Sequence, residues 1–294
     1  MISWISEQDK IIIRDLADFD PTRTFECGQC FRWRKLANGN WLGIAKGLIV
    51  EIGWNGRDLT FHNTSPSEFE EVWYPYFDFW RDYAEIRKKL MQSDPVMEKA
   101  ILFGSGIRLL KQDFYEMLTS FILSQNNNIP RIKKIIECLS ENFGRPIPHE
   151  GRIYYSFPSI DTIARLSDEE LKCIRAGYRT GYIIKSARQI MAGTVDYKLL
   201  SGMKATEART EMLKLTGVGG KVADCILLFS GLKQDIFPVD RWVVRVMMTL
   251  YPGCGTRNEE IAAFAREKFG DLSGIAQQYL FYYAREMKIG MKPN

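Results

Sequence analysis

The hydrophobic period of this chain changes once along its length, and that change constrains the fold more than any other feature. From about Thr24 to Asn63 apolar and polar residues alternate in short runs: Phe31-x-Trp33, Trp41-x-Gly43-x-Ala45, Leu48-x-Val50-x-Ile52 and Leu59-x-Phe61. A period of two buries one face of a pleated strand. Asn38-Gly39 and Asn55-Gly56 separate these runs, and such pairs tolerate positive φ in tight turns, so the segment predicts an antiparallel sheet. After Pro66 the pattern turns helical, with Asp94-Pro95 placed as N-cap and first helical residue. From about Lys111 onward nearly everything reads as helix. Phe114, Met117, Leu118, Phe121 and Ile122 form one broad stripe, Pro130 opens the next helix and Gly144 closes it. Ser167-x-x-Glu170 fits a capping box, and Gly177 interrupts before an amphipathic run through Met191. Further helices are expected over Glu207 to Leu215, Val222 to Gly231, Arg241 to Tyr251, Glu259 to Phe269 and Leu272 to Met287. The expected class is α+β: an N-terminal antiparallel sheet with flanking helices over 1–105, then an all-helical core over 106–294.

With 294 residues, 46% of them hydrophobic, the chain has enough apolar material to fold alone. No stretch approaches the roughly 18 apolar residues of a membrane span. The first residues, Met1-Ile2-Ser3-Trp4-Ile5-Ser6-Glu7, lack the basic and apolar regions of a signal peptide. A cytoplasmic monomer with no membrane partner is the expectation. Six unevenly spaced cysteines, at 27, 30, 138, 173, 225 and 254, do not form a disulfide framework and predict reduced thiols. Only Cys27-Gly-Gln-Cys30 has metal-like or redox-like spacing. A zinc site would want two further ligands, and His62 and His149 stand far apart without a motif, so no metal is expected. The net charge of +4 permits nucleic-acid binding without arguing for it.

The segment Leu215-Thr-Gly217-Val218-Gly219-Gly220-Lys221 joins two amphipathic helices through a glycine-rich turn. Its N–H groups and the following helix N-terminus can hold a phosphate. An ordinary glycine C-cap between packed helices explains the same residues as well. Downstream, Pro238-Val239-Asp240 opens the helix at Arg241, where Asp240 is a good N-cap. Cys225 lies four residues after Lys221 and so shares its helical face.

A hairpin ending in Lys221 followed by Val239-Asp240 resembles the DNA glycosylases of the helix-hairpin-helix superfamily. Further pieces resemble one branch, the 8-oxoguanine DNA glycosylases. They are Gly28-Gln29-Cys30-Phe31-Arg32-Trp33, Ser124-Gln125-Asn126-Asn127-Asn128-Ile129-Pro130-Arg131, Gly177-Tyr178-Arg179, Gly217 to Cys225, and Gly274-Ile-Ala-Gln277-x-x-x-Phe281. The resemblance implies two helical subdomains with the active-site cleft between them, and double-stranded DNA containing an oxidised purine as partner. It implies that Lys221 attacks the anomeric carbon of a flipped nucleotide and forms a Schiff base, with a strand nick by β-elimination. An amine with an ordinary pKa near ~10.4 is protonated at neutral pH, so the site must lower that value or supply a proton acceptor. Asp240 would stabilise the cationic sugar. Cys225, its thiolate favoured by the nearby ammonium, and Phe281 would sandwich the base; a small buried thiol and a core aromatic are the plainer readings. Gln277 would read the pairing edge, and is otherwise an ordinary exposed glutamine. The Gly28 carbonyl would accept the N–H that oxidation adds to the five-membered ring. Asn126 would fill the gap, Tyr178 would wedge beside it, and Arg131 and Arg179 would bond the estranged cytosine; singly, the arginines read as surface charges. No cofactor is required, and a monovalent cation at the hairpin carbonyls is an open addition. Thr216, Gln125 and Trp242 depart from the proline, serine and histidine of eukaryotic members, which suits a prokaryotic one. A monofunctional alkylpurine glycosylase and a non-catalytic DNA-binding scaffold are the rival readings.

Overall fold

The computed structural model describes residues 2–291. Six strands make one antiparallel sheet: β1 (Ile5–Glu7), β2 (Lys10–Ile13), β3 (Trp33–Lys35), β4 (Trp41–Ala45), β5 (Leu48–Trp54) and β6 (Leu59–His62), in spatial order β1-β2-β6-β5-β4-β3. The meander from β3 to β6 is the one the alternation predicts. The two added strands precede it: β1 is exposed throughout, and Lys10-Ile-Ile-Ile carries no polar alternation, so neither has the signature of a half-buried strand. Thr24 and Phe25 belong to a short helix, Pro21–Glu26, capped by the Asp20 side chain. At the Asn38-Gly39 turn only Gly39 takes a positive φ, of 90°. Asn38 uses its side chain instead, accepting from the Asn40 N–H at 3.0 Å and donating to Glu51 at 2.9 Å.

The sheet packs on an aromatic core of Phe19, Phe25, Trp33, Phe61, Phe69 and Phe77. Phe25 and Trp33 stack with centroids 4.0 Å apart. The helical body contains the long helices Tyr83–Ser93, Pro95–Phe103, Phe114–Ser124, Ile129–Phe143, Arg179–Met191, Ala205–Met212, Gly220–Phe229, Arg241–Leu250, Asn258–Phe269 and Ser273–Glu286. Asp94 caps as expected, accepting from the Val96 and Met97 N–H groups ahead of Pro95. Phe114–Ser124 runs through the middle, packed by Ile129–Phe143, Arg179–Met191 and Gly220–Phe229. It is therefore buried nearly all round, including Glu116, Thr119 and Ser120, rather than along one stripe. The expectation of helix throughout fails at a second hairpin, β7 (Pro146–His149) with β8 (Arg152–Tyr155). Two prolines and a largely exposed surface hide it from periodicity. The Ser167/Glu170 capping box forms, but opens only a single 3₁₀ turn, Glu170–Ile174.

The helical core draws in Cys27, Phe31, Tyr83, Leu90, Met97 and Ile101, so residues before 105 pack into both cores. Gln29, fully buried, lies on the seam. Its amide nitrogen donates to the Thr24 and Arg108 carbonyls at 2.9 and 2.7 Å, and its oxygen accepts from the Leu110 N–H at 2.9 Å. Among the described residues no helix is long and apolar enough to cross a membrane.

Candidate active site

A cleft of about 770 Å³ opens where the loop before β3 meets the helical body. Its wall includes Gly28, Phe31, Phe121, Ser124, Asn126, Arg131, Lys221, Asp240, Trp242 and Phe281, and it falls within the range of small-ligand sites. Lys221 stands in the first turn of Gly220–Phe229, with Nζ 3.5 Å from Ser124 Oγ and 5.1 Å from the Phe121 ring centroid. The Ser124 hydroxyl donates to the Phe121 carbonyl at 2.8 Å, which leaves its lone pairs for the amine. Asp240 caps the Arg241–Leu250 helix: Oδ1 accepts from the Trp242 and Val243 N–H groups at 2.9 and 2.8 Å. Its second oxygen takes no hydrogen bond among the described residues. Cys225 corrects the expectation of a thiolate. Burial pushes its thiol up to about 11 and Lys221 opposes this only in part, so the sulfur is a neutral, buried packing surface.

Also on the cleft wall, Gly28 has φ +90°, and a Cβ there would lie 3.2 Å from Phe281 and 3.5 Å from Ile129. Both the turn and the close approach require glycine. Its carbonyl accepts no hydrogen bond from any described residue. The loop is pinned on either side: Gln278 donates to the Cys27 carbonyl at 2.9 Å and Arg285 to the Glu26 carbonyl at 2.8 Å, and Gln112 donates to the Gln29 carbonyl at 2.8 Å. Gln277, one turn before Phe281, is buried (5% exposed), not the exposed glutamine of the plainer reading, and its Oε1 has no partner. A buried acceptor left unpaired is destabilising by about 1–3 kcal/mol, and calls for an N–H donor from a ligand.

The Asn126–Asn128 loop forms the rim. Asn126 is exposed with φ +49°, and Asn128 caps Ile129–Phe143 by accepting from the Arg131 N–H. Arg131 is exposed and donates to the Arg175 carbonyl at 3.3 Å. Arg179 is not a surface charge but is 5% exposed: its guanidinium donates to the carbonyls of Gln125, Asn126 and Ala176, which leaves little of its fork for an outside partner. The Tyr178 ring, 56% exposed, lies 4.5 Å over that guanidinium. Gln125 donates to the Gly217 carbonyl at 2.8 Å, joining loop to hairpin. In the hairpin Gly217 has φ +81° and no room for a Cβ against Tyr182, Val218 is buried, and Gly219 and Gly220 open the helix bearing Lys221. The Thr216 N–H donates to Gln189 at 2.7 Å, a bond proline could not make.

Residues 11–118 match the family described as 8-oxoguanine DNA glycosylase, N-terminal domain, and residues 119–271 match the HhH-GPD superfamily of base excision DNA repair proteins. The chain is 31% identical over 274 residues to an N-glycosylase/DNA lyase of Arabidopsis thaliana, covering 88% of this chain and 75% of the relative. The chain belongs to the 8-oxoguanine DNA glycosylases. A probable N-glycosylase/DNA lyase of Methanothermobacter thermautotrophicus is 34% identical over 61% of this chain and 64% of its own length. The 8-oxoguanine glycosylase/lyase of Clostridium acetobutylicum, solved with double-stranded DNA containing cytosine opposite 8-oxoguanine, superposes with a TM-score of 0.93 at 44% identity, over 98% of this chain and 99% of that one. A 3-methyladenine DNA glycosylase from Archaeoglobus fulgidus, at 20% identity and a TM-score of 0.73 over 94% and 99% of the two chains, shares the fold. Sequence reasoning assigned no role to Ser124, Gln278 or Arg285. Ser124 stood at the head of a motif without a role, and Arg285 follows Phe281 by the same four residues that separate Phe281 from Gln277.

Proposed function

We infer that this chain is a bifunctional DNA glycosylase and lyase of base excision repair, which extrudes 8-oxoguanine from duplex DNA, excises it and nicks the strand. The observation that carries this reading is one cleft lined together by Lys221, Asp240, Gly28 and Phe281, in a chain of this family. Lys221, as the neutral amine, attacks C1′ of the flipped nucleotide. The C1′–N9 bond breaks, the base leaves with the electron pair, and the sugar ring opens to a Schiff base on Nζ. Loss of a C2′ proton then expels the 3′ phosphate by β-elimination. The free oxygen of Asp240 faces the positive charge that develops on the sugar.

Phe281 and the neutral Cys225 thiol bracket the base, and the Gln277 oxygen accepts an N–H of its pairing edge. The Gly28 carbonyl accepts the N–H present on 8-oxoguanine and absent from guanine, a discrimination of about 1–3 kcal/mol. Asn126 fills the vacated space, Tyr178 wedges beside it, and Arg131 addresses the estranged cytosine. Arg179 supports these groups through the loop and has at most a residual N–H for the cytosine. Gly217 to Gly220 grip phosphate. A monovalent cation on the hairpin would share carbonyls, since those of Leu215 and Gly217 already accept protein N–H groups; the chemistry requires none.

Borohydride trapping on a duplex with 8-oxoguanine opposite cytosine tests the mechanism. The wild-type chain is expected to trap covalently, and Lys221→Gln to trap nothing and excise at least roughly 10³-fold more slowly. Excision without trapping would instead support a water-dependent alkylpurine-type mechanism, and binding without any product a scaffold. Equal rates opposite all four bases would remove the assignment of Arg131 to the cytosine.

A further inference from the structure

The two histidines of this chain, distant in sequence, come to the same carboxylate. Glu51 on β5 and His62 on β6 are direct cross-strand partners, so their side chains leave the same face of the sheet. The second hairpin packs its β7 strand against β5 and brings up His149, the last residue of β7, and Glu150 in the turn that follows. One ligand-type atom from each of Glu51, His149 and Glu150 lies within 4.8 Å of the other two.

Two observations mark this cluster as more than neighbouring charges. Glu51 is 6% exposed, and both amides that reach it, Asn38 at 2.9 Å and Asn40 at 2.6 Å, donate to Oε1. Its Oε2 therefore has no donor among the described residues. His149 Nε2 is shut off from solvent and also has no hydrogen-bond partner. A buried ring nitrogen normally finds a partner, and that of His149 has none although two carboxylates stand beside it.

We propose that Glu51, His149 and Glu150 form a site for a divalent transition-metal ion of the zinc type, which clips the β7–β8 hairpin to the sheet. Imidazole and carboxylate bind zinc at about 2.0–2.2 Å, which places ligand atoms about 3.4 Å apart on a tetrahedron. Glu150 is exposed and free to close on the ion. Water takes the fourth position. Asn38 and Asn40 orient the ligating carboxylate from behind, as outer partners do in metal sites. None of these residues lines the cleft. The clip instead anchors the hairpin that follows Ile129–Phe143, the helix whose first turn carries Arg131.

Titration of the chelator-treated full chain with zinc chloride, by calorimetry and thermal melting, tests this. One equivalent is expected to bind and to raise the midpoint of unfolding. His149→Ala and Glu150→Gln, both on the hairpin, are expected to melt like the wild type without metal and to lose both the tight binding and the midpoint rise. Asn40→Ala retains every ligand and is expected to bind roughly 10- to 100-fold more weakly. Six thiols compete for zinc in the same chain, so binding that persists undiminished in His149→Ala overturns the site, as does the absence of saturable binding to the wild type.

Discussion

Gln277 and Glu116 show how burial changes what a residue type means. Neither can be read from its own neighbours in sequence, because burial is a property of the helices around it: one lies on the Ser273–Glu286 helix, the other on the central helix. Gln277→Met keeps the length of the side chain and removes the unpaired oxygen. It is expected to stabilise the free protein by about 1–3 kcal/mol in urea unfolding while slowing excision of 8-oxoguanine at least about tenfold. Glu116 is pushed up to about 7 by burial, with Arg32 opposing. A carboxyl raised on folding stabilises fully below its unfolded value and loses that contribution as the pH climbs through its folded one. Stability is thus expected to fall between about pH 4.5 and 7 by up to about 3 kcal/mol from this group. Glu116→Gln should flatten that part of the curve; an unchanged slope would refute the assignment. Cys225 is a similar case, since the helical spacing correctly put it on the face of Lys221 but carried no information about how dry that face is.

Among the elements, the sheet meander and most long helices were legible because each buries one face and leaves the other wet. The elements that escaped were those without that contrast: the exposed β1, the uniformly apolar β2 and the proline-bearing β7. The loop 125–128 was legible as a motif but not as a mechanism. What holds it is Arg179, through the carbonyls of residues 125 and 126, and Gln125, through the hairpin carbonyl of Gly217. Arg179→Ala is expected to lower stability by about 1.5–3 kcal/mol and to raise KM for lesion duplex more than it lowers kcat, because it loosens the rim without touching Lys221. Equal losses in kcat and kcat/KM would mean that Arg179 acts in the chemical step.

At the scale of the whole molecule, the cleft crosses the seam between the sheet core and the helical core. Gly28 comes from the loop leading into β3, whose residues pack into both cores, and Lys221 from a helix of the second. The order of motifs along the chain revealed that both contribute, whereas the buried amide that sets them relative to one another, Gln29, was visible only as a letter in a motif. Gln29→Ala leaves the Leu110 N–H and Arg108 carbonyl without their partner, and is expected to destabilise by about 2–4 kcal/mol in denaturant. It should also narrow the ratio of 8-oxoguanine to guanine excision, because Gly28 is its neighbour in the chain. That adjacency gives the seam a biological weight of its own. If Gly28 sets lesion choice, substitutions that let the two cores drift are expected to reach the cell partly as lost fidelity, since selectivity then depends on packing far from Lys221.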